Sequence, residues 1–167
     1  MEEHNNKPRV GIARKVARKL LEDANVNIPP VIIRDIINFL KKEIDISVRP
    51  WAFGDNTDGI QITKEKLVVI GYNNLQHQHR QRFTVAHELG HLLLGHTNKN
   101  YDFDINSGDP EEIEANQFAG ELLVPLKMLK EDMKKGNKSI EFIVNNYNVS
   151  KEVAWLRLLN LKLISKL

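Results

Sequence analysis

The sequence predicts an α+β domain, helix-rich in its C-terminal half, on three observations. Apolar residues recur at helical spacing from residue 10 to residue 40. Short alternating or continuous apolar runs between residues 44 and 70 read as strands. Everything after residue 80 returns to helical spacing. At 167 residues without cysteine, the chain is sized for one compact domain and cannot be a disulfide-stapled scaffold. Residues 1–136 are expected to form the body of the fold. Residues 137–167 are expected to add a small helical element packed on it.

The elements follow in order. Residues 10–23 place Ile12, Val16, Ala17, Leu20 and Leu21 near one face, with Arg14, Lys15, Arg18 and Lys19 as a basic side. Asn27-Ile28-Pro29-Pro30 breaks that helix, and Ile32, Ile33, Ile36, Ile37 and Leu40 mark a second one. Ile44 to Val48 alternates like a strand. The turn Asp55-Asn56-Thr57-Asp58-Gly59 leads to Ile60-Gln61-Ile62-Thr63, and a turn near Lys64-Glu65 to Leu67-Val68-Val69-Ile70. Three strands in succession predict a small, twisted, mainly antiparallel sheet. Helices are then expected over about residues 81–96, 110–123 and 126–135, Pro125 separating the last two. Two short helices close the chain, with Ser150 as the N-cap of the second. Trp51 and Trp155, with Phe39, Phe83, Phe118 and Phe142, are expected in the core.

Charge and hydropathy exclude several classes. The formal net charge is +2, too small to argue for nucleic acid, yet residues 51–126 carry 5 basic against 11 acidic groups. An acidic middle suits a bound cation. No apolar run approaches the roughly 18 residues of a membrane span, and residues 1–8 have no secretory character, so a cytoplasmic location is expected.

His87-Glu88-Leu89-Gly90-His91 is an HExxH pattern. Residues four apart share a helix face, so both imidazoles can reach one metal ion, while Glu88 lies beside it and can take a proton from water. The surrounding Phe83 to Leu94 is otherwise almost wholly apolar, and two histidines and a glutamate buried there need a partner or a metal. Gly90 costs the helix about 0.5–1 kcal/mol relative to alanine, which points to close packing. His96, five residues past His91, does not match the metzincin spacing and is badly placed to bend back to the same ion. The acidic helix from Glu111 fits better. Glu112 and Asn116 are one turn apart, so Glu112 can ligate the metal while Asn116 holds a ligating histidine from behind. Glu114 is the other carboxylate weighed for the ligand place; sharing a face with Glu121, it reads rather as solvated or behind the ligands. Arg82 is a candidate partner of a ligand carboxylate or of substrate, or an ordinary helix-start residue. Tyr72, His77, His79, His96 and Tyr101 are candidates for stabilising an oxyanion, and spacing does not choose among them.

Arg82 to His91, followed by Glu112-Ile113-Glu114-Ala115-Asn116-Gln117-Phe118-Ala119-Gly120-Glu121-Leu122-Leu123-Val124-Pro125, resembles the ImmA/IrrE family of zinc metallopeptidases. Pro29-Pro30-Val31, Val149-Ser150, Arg157-Leu158 and Leu161 are similar as well, and Val124 stands where the family often has methionine. The resemblance is to the short, single-domain members. It implies a gluzincin-like minimal core with HExxH on a central helix, one Zn2+ held by His87, His91 and Glu112, and catalysis by Glu88. Mn2+ or Co2+ suits the same ligands. It also implies a site-specific endopeptidase whose partner is a helix-turn-helix repressor, cleaved to derepress mobile-element or stress genes. The competing expectation is a regulator that sequesters a partner and keeps zinc for structure. Residues 139–161 have helix-turn-helix dimensions, but Lys151, Arg157 and Asn160 are few groups with which to read bases, so direct DNA binding is not expected.

Overall fold

A computed structural model describes residues 7–54, 56–96 and 108–164. Helices α1 (Val10–Asp23) and α2 (Ile33–Leu40) precede strands β1 (Asp45–Trp51), β2 (Gly59–Lys64) and β3 (Leu67–Asn73). Helices α3 (Gln78–Leu94), α4 (Pro110–Leu123), α5 (Leu126–Lys134), α6 (Ile140–Tyr147) and α7 (Lys151–Asn160) follow. The α+β class and the order of elements are those the sequence predicts.

The sheet is mixed rather than mainly antiparallel. Strand order is β1-β3-β2, with β2 antiparallel to β3 and β1 parallel to it. Lys64 pairs with Leu67, so Glu65 and Lys66 form a tight hairpin. Residues 52–58 carry the chain past the place β3 will occupy, about two strand spacings or ~10 Å, which a seven-residue link spans easily. Strands adjacent in sequence are therefore not all adjacent in space.

Helix α3 is central, packing on β2 and β3, on α4 and on α1. Ile46, Val68 and Ile70 of the sheet join Phe83, Val85, Ala86 and Leu89 of α3 and Phe118, Ala119 and Leu122 of α4 in one core. Ile143, Tyr147, Val153 and Leu158 of α6 and α7 belong to the same cluster. The basic side of α1 faces α4: Arg14 donates to Gln117 and Arg18 to Glu121. Trp51 and Trp155 depart from expectation, being 63% and 40% exposed; Trp51 stacks on Phe53 instead of entering the core. Arg157 departs in the opposite sense. It is buried, donating to the Val124 carbonyl and paired with Glu121, so it is withdrawn from the surface of α7. Among the described residues, no helix is long and apolar enough to cross a membrane.

Candidate metal centre

Two helix segments, each set by its own sequence, bring the site together. All of Phe83 to Gly90 is buried, so His87 and Glu88 enter the interior with the apolar face that carries them. Gly90 lets α4 come close: a Cβ there would stand 3.1 Å from the Ala115 Cα and 3.2 Å from the Ala115 carbonyl oxygen. Helix α4 starts at Asp109, which accepts from the Glu111 and Glu112 backbone N–H groups, with Pro110 in the first turn. Glu112 thus sits at the positive end of the helix, where a carboxylate is favoured.

Three side chains converge. The Nε2 atoms of His87 and His91 are 2.9 Å apart, and Glu112 places Oε2 at 3.1 Å from the first and Oε1 at 3.2 Å from the second. A tetrahedral Zn2+ with ligand bonds of 2.0–2.1 Å requires ligand atoms separated by about 3.3 Å, so these spacings suit one small divalent ion. Its chemistry also fits. His87 Nδ1 lies 2.9 Å from the Asn116 amide oxygen, which only accepts, so that nitrogen carries the proton and Nε2 offers a lone pair. The Glu112 Oε2 atom is buried without a hydrogen-bond donor. Burial raises the Glu112 carboxyl and lowers His87, but the two imidazoles facing Glu112 outweigh burial and hold it ionised, with a pKa of about 2. A carboxylate facing two imidazoles is a donor set for a cation. Among the described residues, this trio is the one cluster with metal-ligand geometry.

Glu88 stands beside the trio, 5% exposed, with its carboxyl raised to about 7 by burial. Strand β2 closes over it, and a Cβ on Gly59 would stand 3.6 Å from Glu88 Oε1.

The other expected residues are placed as follows. Asn116 is behind His87. Glu114 is not solvated: 3% exposed, it accepts from the Arg9 backbone N–H at 2.7 Å and from the Arg9 guanidinium at 2.7 Å, and its Oε2 is 3.0 Å from His96 Nε2. Burial raises its carboxyl, yet the hydrogen bonds from Arg9 and His96 prevail and leave it at about 2. Arg82 is away from the trio. It donates to the carbonyls of Asn148 and Val31 and fastens α3 to the turn between α6 and α7 and to the lead into α2. Of the oxyanion candidates, His77 caps α3, His79 meets the Asn148 side chain, and Tyr72 lines a cavity of about 440 Å3 between α2 and α3. His96 has both ring nitrogens engaged, with His91 and Glu114. Tyr101 lies outside the described residues. Arg9, 105 residues from Glu114, carries no signal in the sequence that ties it to the site.

The immunity region protein 2 of Bacillus phage phi105, itself uncharacterized, is 36% identical over 90 residues, or 52% of this chain and 56% of that protein. A Mycobacterium tuberculosis transcriptional regulator has a similar fold, with a TM-score of 0.66 at 15% identity over 89% of this chain and 46% of that one. The chain thus spans about half the length of each of these relatives. The model of the family described as the IrrE N-terminal-like domain matches residues 42–159, and the chain belongs to that family, Peptidase M78.

Proposed function

We propose that this chain is a zinc-dependent endopeptidase that cuts a regulatory protein, a helix-turn-helix repressor, in the cytoplasm. The observation that carries the reading is the convergence of His87, His91 and Glu112 with a buried carboxyl, Glu88, beside them. A family of metallopeptidases and a phage immunity-region relative support it.

A Zn2+ held by the trio would acidify water and polarise a peptide carbonyl. Everything else falls to this chain's side chains. Glu88, poised near neutrality, takes a proton from the attacking water and returns it to the departing amine. Its buried position keeps bulk water from competing for that proton. Asn116 keeps the His87 ring oriented. The absence of cysteine from the chain leaves the ligand set to histidine and carboxylate, which Mn2+ and Co2+ also accept.

The test is incubation of the zinc-loaded protein with candidate helix-turn-helix repressors drawn from the genes adjacent to its own, products being read by mass spectrometry. Wild type is expected to release two fragments. Glu88→Gln is expected to bind zinc and leave the repressor intact. Equal cleavage by both proteins overturns the mechanism. Binding by both with cleavage by neither establishes sequestration instead.

A further inference from the structure

We propose that His96 is a positioning residue for His91: it fixes which nitrogen of that imidazole faces the metal, and is itself held by Glu114 and, behind it, by Arg9. The inference rests on the reading of His87, His91 and Glu112 as metal ligands and concerns what keeps one of them in its binding form.

The backbone brings His96 back. Gly95 ends α3 with φ +71°, a left-handed conformation open to glycine, and the His96 N–H then donates to the His91 carbonyl at 3.0 Å. This helix-ending turn reverses the chain so that a histidine five residues on returns to the one it followed. The two Nδ1 atoms come to 2.8 Å.

Two ring nitrogens at that distance share a single proton, and the far end of the chain decides whose it is. His96 Nε2 is 3.0 Å from Glu114 Oε2, and a carboxylate only accepts, so His96 carries its proton on Nε2. In a neutral imidazole the other nitrogen is then bare. His96 Nδ1 accepts, His91 Nδ1 donates, and His91 Nε2 is left as a lone pair at the centre of the trio. Arg9 holds the carboxylate from outside through its backbone N–H and a bidentate guanidinium. The first turn of α1 is thereby connected to a metal ligand through three side chains. On the other ligand, His87 Nδ1 rests 2.9 Å from the Asn116 amide oxygen.

If His96 were only a packed interior residue, replacing it would loosen the fold without changing how tightly the folded protein holds a metal. Zinc affinity, measured by competition with a chromophoric chelator on protein shown to be folded, separates the two. So does the visible spectrum of the Co2+-loaded protein. His96→Leu is expected to bind zinc about 10–100-fold more weakly and to shift the Co2+ bands. His96→Asn is expected to recover most of the affinity, because its amide oxygen takes the place of Nδ1 and accepts from His91. Arg9→Met, at a half-exposed side chain and likewise assayed on protein shown to be folded, is expected to weaken binding in the same direction by a smaller factor, and it carries the test should His96→Leu not fold. Affinities within about twofold of wild type for folded His96→Leu, or for Arg9→Met where that variant carries the test, overturn the proposal. Equal weakening by Asn and Leu at position 96 does so too. A wild-type protein that takes up no zinc refutes the metal-site reading itself, a result distinct from any difference among variants.

Discussion

Replacing Gly90 by alanine sets two opposed effects against each other at the contact that unites the two ligand-bearing helices. In an isolated helix the exchange stabilises by about 1 kcal/mol. Here the new methyl would lie 3.1 Å from the Ala115 Cα, 3.1 Å from the Phe118 ring and 3.2 Å from the Ala115 carbonyl oxygen, all inside ordinary contact. Phe118 can tilt, but the backbone of α4 cannot turn aside, so α3 and α4 must separate by a few tenths of an ångström. Overpacking of this kind costs about 1–3 kcal/mol, which leaves a net loss near 1 kcal/mol. For a chain of this size the thermal midpoint should fall by about 2–4 °C. Because His91 adjoins Gly90 and Glu112 lies one turn before Ala115, zinc affinity should fall with it. Calorimetry on the metal-free protein and a chelator competition read the two effects. A midpoint that rises, with zinc binding unchanged, would refute the close approach of these helices.

Three further outcomes follow from the same geometry. Arg157→Leu leaves the wholly buried Glu121 carboxylate with only Arg18 and the Leu126 N–H, and should cost on the order of 3 kcal/mol in urea unfolding; pairing it with Glu121→Leu should restore most of the loss, and a single variant as stable as wild type would contradict the burial of this pair. Glu88, lifted by burial from 4.5 to about 7, stabilises the metal-free fold fully below pH 4.5 and loses that contribution as pH rises through 7. The stability of wild type minus that of Glu88→Gln should therefore decline across that window by an amount on the order of 3 kcal/mol, and a flat difference would contradict it. Zinc at about 100 times its dissociation constant should add about 2.7 kcal/mol to stability, reversed by a chelator; a midpoint indifferent to both would count against a site in the folded protein.

Much of this was legible because local chemistry and global structure agree. The HExxH spacing, the apolar helix around it, the small residue at Gly90 and the Asn116 turn after Glu112 each state a requirement that short-range geometry can meet. What escaped depends on distance. The parallel pairing of β1 with β3 comes from a connection passing over a strand not yet made, which no local period encodes. Arg9 reaches Glu114 only because α1 lies against α4, 105 residues away. Helical spacing alone does not bend His96 back toward the ion, and the structure places it behind His91, Nδ1 to Nδ1 at 2.8 Å. The Gly95 turn that folds it behind His91 stands in the sequence as a glycine after a helix, and its effect depends on the left-handed φ adopted there. Arg157 counts in the sequence among the exposed groups of its helix, whereas its carboxylate partner belongs to α4.

The claim on which the rest depends is that one divalent ion sits between His87, His91 and Glu112. X-ray absorption at the zinc edge, on protein loaded with one equivalent and again on a Glu112→Gln variant, addresses it most directly. The account predicts two imidazole nitrogens and carboxylate oxygen within about 2.0–2.2 Å, with the oxygen shell altered in the variant. A zinc shell without imidazole scattering, or one identical in both proteins, would contradict it.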